Sequence, residues 1–316
     1  MPLPRHLATL LEARSRLPHG RPFTSAEARE HGLTWPQLRA LVRERLLAHP
    51  LRDVYAMPDL TDDLELRLAM LRLVVPHDCV VTDRTAAWLW GATMALAPHD
   101  HLQVPQVSVF APPGRRLRNG LVASGERRLA PADVVTMGGI QVTTPLRTAC
   151  DLGRLLHRDQ AFAAMDALAD LRRFDLDELL LAVERFKGYR GVVQLRTLAP
   201  LVRRGSQSPT ESILRLRWEE EGLPEPECQV EVEGPEGSYF LDIANRHHCL
   251  AAEYDGAEFH GEEQRAYDQD RRGWMATHGA WIIVVVRKVN LFGRHQDVHL
   301  LLRGGLERAL RRPVLH

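Results

Sequence analysis

Lysine and cysteine are both scarce in this chain of 316 residues. Lys187 and Lys288 are the only lysines, so nearly all of the positive charge is carried by arginine. The four cysteines lie far apart and form no CxxC pair, which argues against a structural zinc site or a disulfide framework. We expect them to be small buried residues in a reducing compartment.

Long hydrophobic runs are also missing. The longest strongly apolar stretches, such as 281–286, are far too short to span a bilayer. No basic and then apolar signal segment opens the chain. These absences predict a cytoplasmic protein without a membrane partner.

Net charge of either sign is absent as well, because 41 basic side chains balance 41 acidic ones. The sequence therefore encodes no general attraction to a polyanion, and any nucleic-acid surface must be local. Residues 1–58 nevertheless hold nine Arg against five acidic residues, and residues 209–236 hold nine Glu against two Arg. Codon bias explains the number of arginines but not this asymmetry. It predicts one part that contacts phosphates and another that gathers divalent cations.

The first 58 residues have the pattern of a small helical domain that ends in a hairpin. The predicted elements are a helix at 5–16, a short helix capped by Thr24 or Ser25, a helix at 35–45, and strands at 46–48 and 54–57. This order is typical of a winged helix, whose second helix enters the major groove of DNA. The candidate DNA-binding residues are Thr34, Trp35, Gln37, Arg39, Arg43 and Arg45. Any single arginine of this set has the alternative of being a solvated surface residue.

Several short motifs of the first half form a set. They are Phe23-Thr24-Ser25-Ala26, Gly32-Leu33-Thr34, Arg52-Asp53-Val54-Tyr55 and the run from Thr143-Thr144-Pro145 to Asp151-Leu152. Together they resemble the AbiEi-type antitoxins, and the resemblance implies a DNA-binding regulator with a cognate toxin as its partner. That family usually has Gly where Asp53 stands. Because a carboxylate there would repel phosphate, we expect little direct contact between the wing and DNA.

The middle of the chain, 59–204, predicts a mixed α/β domain. Helical and strand-like stretches alternate up to Thr143, and helices follow as far as Val202. The cluster His99-Asp100-His101 lies in a Pro-flanked loop and is interpreted as a solvated turn. The polar segment 203–209, which contains Gly and Pro, marks a boundary. The predicted domains are therefore 1–58, 59–204 and 205–316.

Acidic residues of the last domain are the candidates for chemistry. Glu211 opens a predicted helix, Asp242 lies on the second strand of a hairpin, and the next strand carries Glu253 and Asp255. The turn between Asp242 and Glu253 sets both carboxylates at one sheet end, and Asp255 shares a face with Glu253. Converging carboxylates repel one another unless a cation is present, and oxygen ligands suit Mg²⁺ or Mn²⁺. The alternative is a solvated acidic face, but Asp242 lies within an apolar run, where an unpartnered carboxylate is costly.

The same region carries a second set of motifs. They are Thr210-Glu211, Leu241-Asp242, Glu253-Tyr254-Asp255-Gly256, His260 and Asp270-Arg271-Arg272. They resemble the nuclease-like domain related to the very-short-patch repair endonucleases, within the PD-(D/E)XK superfamily. The resemblance implies a restriction-endonuclease-like α/β fold, with a metal bound by Asp242 and Glu253, supported by Glu211, and with Asp255 and His260 completing the site.

One departure from the superfamily pattern affects the predicted catalysis. Asp255 stands where a Lys is common, so the stabilisation of the phosphate passes to His260, Arg272 or a second metal. His260 is a candidate general acid, although a lone His is as often a surface residue. Asp270 and Arg271 or Arg272 are expected to pair on their helix in the absence of DNA.

Three functions are open at this point. The first is a Mg²⁺- or Mn²⁺-dependent endodeoxyribonuclease that a winged helix guides to DNA. The second is a non-enzymatic AbiEi-type antitoxin, a transcriptional regulator whose degenerate nuclease domain serves binding or homodimer contacts. The third is a nuclease that acts on RNA or on branched or mismatched DNA. In each case the predicted fold is an α+β multidomain protein with a winged helix, an α/β middle domain and a restriction-endonuclease-like C-terminal domain.

Overall fold

A computed structural model describes residues 5–95, 107–111, 122–235, 237–256, 262–294 and 296–312 of the chain. Within these residues the protein is a mixed α+β structure with thirteen α-helices and three β-sheets. The chain divides into two compact units, Met1–Asp151 and Leu152–His316. The three domains drawn from the sequence stay a prediction.

The first unit contains two of the three sheets and the helices that precede residue 151. Its elements are α1 (Arg5–Ser15), β1 (Phe23–Thr24), α2 (Ser25–Glu30), α3 (Trp35–Arg43), β2 (Ala48–Leu51), β3 (Val54–Ala56), α4 (Leu64–Arg72), β4 (Val80–Val81), α5 (Asp83–Trp90), β5 (Val107–Ala111), β6 (Val122–Glu126), β7 (Val134–Met137), β8 (Ile140–Thr143) and α6 (Pro145–Leu155), which runs past the unit boundary.

A small antiparallel sheet with the strand order β1-β3-β2 lies beside α1, α2 and α3. Phe23 and Tyr55 from its strands join Leu38 and Leu41 of α3 in one buried cluster. The cluster forms because α3 carries apolar residues three positions apart, on the side that faces the sheet.

The second sheet of this unit has five strands in the order β6-β5-β4-β8-β7. Its pairs are parallel for β5 with β6 and for β4 with β8, and antiparallel for the other two. Buried residues of β4, β5 and β8 pack with α4 and α5. Within its described residues, this stretch therefore combines helices with a mixed sheet, and the separate α/β middle domain stays a prediction.

The second unit combines helices with a four-stranded sheet. Its further elements are α7 (Arg158–Asp170), α8 (Leu176–Val183), α9 (Val192–Leu198), α10 (Pro209–Glu220), β9 (Glu227–Gly234), β10 (Gly237–Asn245), β11 (Leu250–Asp255), α11 (Glu262–His278), β12 (Ile282–Arg287), α12 (Lys288–Leu291) and α13 (Val298–Leu310).

The four-stranded sheet has the order β12-β11-β10-β9 and is covered on both faces. Residues of α10 and α13, among them Trp218 and Leu302, pack on one face. Met275 of α11 and Trp281 pack on the other. The parallel pair β11 and β12 accounts for the uninterrupted apolar run of β12, because a strand buried on both sides needs apolar residues at every position.

Most of the predicted elements appear close to their predicted bounds, with two differences in the first unit. The helix predicted over 35–45 ends at Arg43, and Arg45 has a left-handed backbone with φ +57°. The strand predicted over 46–48 begins only at Ala48, because the amides of Leu46 and Leu47 bond to the carbonyl of Leu41 at the end of α3. The predicted turn at His99-Asp100-His101 lies outside the described residues.

Candidate functional site

Helix α3 begins with a closed hydrogen-bonding cap. The hydroxyl of Thr34 accepts a bond from the amide of Gln37 at 3.4 Å, and the side-chain carbonyl of Gln37 accepts the amide of Thr34 at 2.9 Å. Pro36 occupies the first turn, where its missing amide costs nothing. Two of the predicted DNA-binding residues, Thr34 and Gln37, therefore fix the start of the helix.

The two sides of α3 differ sharply in exposure. Leu38 and Leu41 are buried, whereas Trp35 is 45% exposed and Arg39 and Arg43 are exposed. Positions 35, 39 and 43 are four apart, so the three side chains share one side of the helix. The guanidinium of Arg29 lies over the Trp35 ring, 6.0 Å from its centre. Arg45 is exposed as well but lies beyond the helix, in the turn that leads to β2.

The turn between β2 and β3 holds a carboxylate in an unexpected environment. Asp53 has a left-handed backbone with φ +64°, a conformation that favours Gly. Its carboxylate accepts bonds from the amide of Ser25, at 3.3 Å, and from the Ser25 hydroxyl. The sequence gives no sign of this contact, because the two residues are 28 positions apart. The charge of Asp53 therefore has a partner inside the protein.

In the second unit, β10 and β11 bring two predicted site residues to adjacent strands. Ile243 of β10 pairs with Ala252 of β11. The same antiparallel register places Asp242 of β10 opposite Glu253 of β11. At this point the amide of Tyr254 donates to the Asp242 carboxylate at 2.9 Å. Gln229, on the neighbouring strand β9, has a left-handed φ of +51°.

Asp242 is largely buried, and its pKa is raised to about 7. Burial is the main cause, and the nearby charges of Glu211 and Glu253 raise the pKa further. The amide of Tyr254 and the charge of Arg271 act in the opposite direction. Three of the predicted carboxylates therefore interact electrostatically.

Glu253 is buried and bound by two arginines of α11. Arg271 donates to both of its carboxylate oxygens, at 2.8 and 2.9 Å, and Arg272 donates from Nε at 2.8 Å. The Glu253 side chain is only 4% exposed. The pairing expected between Asp270 and these arginines is replaced by pairing across to the sheet.

The remaining predicted residues have other partners. Glu211, in the first turn of α10, accepts bonds from the amide of Gln207 at 2.8 Å and the side chain of Gln229 at 3.0 Å. Asp255, at the end of β11, lies 3.9 Å from Arg287 of β12. His260 lies outside the described residues.

Comparison with known proteins adds a family relationship. Residues 79–201 match the AbiEi antitoxin C-terminal domain. Two Mycobacterium tuberculosis proteins, named "Uncharacterized protein MT2308" (strain CDC 1551 / Oshkosh) and "Uncharacterized protein Rv2248" (strain ATCC 25618 / H37Rv), are each 31% identical to the chain over 256 residues. In each case the similarity covers 80% of this chain and 90% of the relative. The chain belongs to the family of these two proteins, and it carries an AbiEi antitoxin C-terminal domain.

Within the AbiEi domain, the motif from Thr143 to Leu152 supplies part of a buried ionic network. Arg147 donates to Asp151 at 2.8 Å and to Asp133 at 2.7 Å. Arg127 bonds to Asp151 at 2.7 Å and to Asp83 at 2.9 Å. The sequence predicts no special constellation here, because these residues are spread over 69 positions. The network explains why charged residues stand in an otherwise apolar helix start.

Outside the AbiEi domain, the carboxylates near Asp242 are the predicted ligands of a Mg²⁺ or Mn²⁺ ion. Among the residues that the structure describes, no group of three or more His, Cys, Asp or Glu side chains is arranged to hold a metal ion. Both oxygens of Glu253 already accept guanidinium donors, and one oxygen of Asp242 accepts an amide. As arranged here, these side chains do not fit a divalent cation.

Over the described parts of the chain, no helix is both long enough and apolar enough to cross a membrane.

Proposed function

We propose that this protein binds duplex DNA through α3 and acts as an antitoxin-type regulator. The observation that carries the proposal is the two-sided character of α3. Leu38 and Leu41 anchor one side in the core, and Trp35, Arg39 and Arg43 are exposed to solvent on the other, where Arg43 also pairs with Glu44 at 3.1 Å.

Shape and charge both suit DNA. An α-helix fits the major groove, where arginine side chains contact phosphates and the edges of guanine. The order helix, helix and hairpin formed by α2, α3 and β2 with β3 supports a winged helix, in which the hairpin lies beside the backbone. Because the net charge of the chain is zero, a local arginine-bearing face is the kind of surface that DNA binding requires.

The wing need not repel DNA. The carboxylate of Asp53 accepts hydrogen bonds from the amide and the hydroxyl of Ser25, so its side chain is bound within the fold. The neighbouring Arg52 is exposed and is available for a phosphate contact. The exposed Arg52 offsets the repulsion expected from Asp53, which favours the hairpin as a DNA-binding element.

A cognate toxin is the proposed protein partner, because residues 79–201 match an antitoxin domain. The predicted homodimer suits this function, since dimeric regulators place two recognition helices on successive half-sites of DNA. The cytoplasm, predicted from the composition, is where such a regulator meets the chromosome.

The second candidate is the metal-dependent endonuclease that the C-terminal motifs predict. The raised pKa of Asp242 beside Glu211 and Glu253 favours it, because crowded carboxylates are common at cation sites. The two arginines bound to Glu253 oppose it. Nicking of supercoiled plasmid in Mn²⁺ by the wild type but not by Glu253→Ala would support this candidate. Intact plasmid with both proteins, across several substrates, would reject it.

The proposed DNA-binding function is tested by selection from a pool of random duplexes. We expect the wild type to enrich a common motif, and Arg173→Ala, which changes an exposed arginine of the other unit, to enrich the same one. Trp35→Ala and Arg39→Ala should enrich it weakly or not at all, although their circular dichroism stays that of the wild type. A wild-type protein that enriches no motif would overturn the proposal.

A further inference from the structure

The contacts of Glu253 assign it a role different from the one its motif predicts. Its buried carboxylate receives three hydrogen bonds from two guanidinium groups. Arg271 also donates to the carbonyl of Phe240 on β10, at 3.2 Å. Through these bonds, one turn of α11 is attached to two neighbouring strands of the sheet.

Apolar contacts are few in comparison in the part of α11 whose side chains the structure describes, 269–278. Of the α11 side chains whose burial is described, only that of Met275 is fully buried, and Trp274 is partly buried. So small an apolar surface gains little from the hydrophobic effect. The attachment of this part of the helix to the sheet therefore depends strongly on the ion pairs of Arg271 and Arg272 with Glu253.

We infer that Glu253 is the anchor of α11, and that Arg271 and Arg272 supply the positive charge that a metal ion would supply in a nuclease of the kind that the motifs predict. Removal of one member from a buried ion pair is strongly destabilising, because it leaves the other charge without a partner. The inference goes beyond DNA binding by α3 and does not depend on it. It opposes the second candidate function, which needs Glu253 as a metal ligand.

An anchor and a metal ligand respond in opposite ways to the loss of charge. In a cation site without its cation, a neutral Gln in place of Glu relieves the repulsion between carboxylates, so the metal-free protein becomes more stable. At an anchor the same substitution leaves two partly buried guanidinium groups without the carboxylate that binds them, so the protein becomes less stable. The sign of the change in melting temperature therefore separates the two roles.

The experiment compares the full chain with Glu253→Gln in EDTA and again in millimolar MnCl₂. We expect Glu253→Gln to lower the melting temperature by roughly 5 °C or more, and Mn²⁺ to leave that of the wild type unchanged. The matched control is Glu227→Gln, which removes an exposed carboxylate bound by Arg246 and should change the melting temperature little. A higher melting temperature for Glu253→Gln in EDTA, or a rise of the wild type in Mn²⁺ that the variant lacks, would overturn the inference.

A milder variant keeps the test informative if Glu253→Gln does not fold. Arg272→Gln removes one of the three bonds to Glu253 and leaves the two from Arg271 in place. We expect a smaller decrease in melting temperature and no binding of Mn²⁺ in equilibrium dialysis. An unchanged melting temperature, or stoichiometric Mn²⁺ binding by the wild type, would contradict the anchor. Neither result affects the DNA-binding proposal, which is measured on α3.

Discussion

At the scale of single residues, Asp242 shows how an apolar strand can hold a carboxylic acid. Burial disfavours its charged form, and the charges of Glu211 and Glu253 add to this, while the Tyr254 amide offsets part of the effect. The result is a pKa of about 7, so the side chain is partly protonated at neutral pH.

A pH dependence follows for Asp242→Asn, measured as the melting temperature in EDTA. The pKa is higher in the folded than in the unfolded protein, so ionisation costs stability progressively between the unfolded pKa and about pH 7. Asn carries no charge and avoids this cost. We therefore expect the variant to exceed the wild type in melting temperature, and by more at pH 8 than at pH 5. Asp270→Asn, an exposed control, should show no such trend. An equal or smaller gain at pH 8 would show that the pKa is not raised.

At the scale of elements, the start of α9 depends on a close approach of two backbones. Gly191 precedes α9 with φ +77°, and a Cβ atom there would lie 1.8 Å from the carbonyl oxygen of Arg154. Gln194, in the first turn of α9, donates to the carbonyls of Gly153 and Leu156 at 2.8 and 3.0 Å. The end of α6 and the start of α9 are therefore in direct contact.

Two glycines allow a matched comparison. We expect Gly191→Ala to lower the free energy of unfolding by about 3 kcal/mol or more, because the backbones must separate. Gly188→Ala, at φ +81° with open space around it, should lose only about 1 kcal/mol. Urea denaturation of both variants measures the difference. Equal losses would mean that the backbone conformation, rather than the contact with Arg154, sets the cost.

Local signals explain which elements were predictable from the sequence. The start of α3 follows from Thr34, Pro36 and Gln37, and the end of α11 follows from Gly279, because caps act within a few residues. The contacts of Asp53 with Ser25 and of Glu253 with Arg271 were not predictable, since they join residues that are distant in the sequence and follow no fixed spacing. The motif around Asp242 and Glu253 predicted which strands carry the carboxylates. It did not predict that arginine side chains bind Glu253.

At the scale of the whole molecule, the second unit is tied together across the junction predicted near residue 205. Arg215 of α10 is fully buried and bonds to both carboxylate oxygens of Asp166 on α7, at 2.6 and 2.7 Å. Its guanidinium also lies over the Phe162 ring, 4.6 Å from the centre. Arg217 adds a bond to Asp159 at 2.6 Å. A fragment that begins at residue 205 lacks all three partners.

Two fragments with the same C-terminus test this dependence. We expect 152–316 to unfold cooperatively, because it keeps the whole compact unit. We expect 205–316 to be unfolded or much less stable, since α10 loses the helix α7 against which it packs, together with the partners of Arg215 and Arg217. Circular dichroism melts of both fragments measure this. A fragment 205–316 that melts as cooperatively and at the same temperature as 152–316 would show that the predicted domain folds on its own.

The central claim, DNA binding by the exposed side of α3, is tested most directly by the salt dependence of affinity. Fluorescence anisotropy with a labelled duplex gives the slope of log K against log of the KCl concentration. If Arg39 and Arg43 each contact a phosphate, the double variant Arg39→Ala/Arg43→Ala should weaken binding and make the slope less negative by about 2, while Arg173→Ala should keep the wild-type slope. Identical slopes and affinities for all three proteins would contradict the claim.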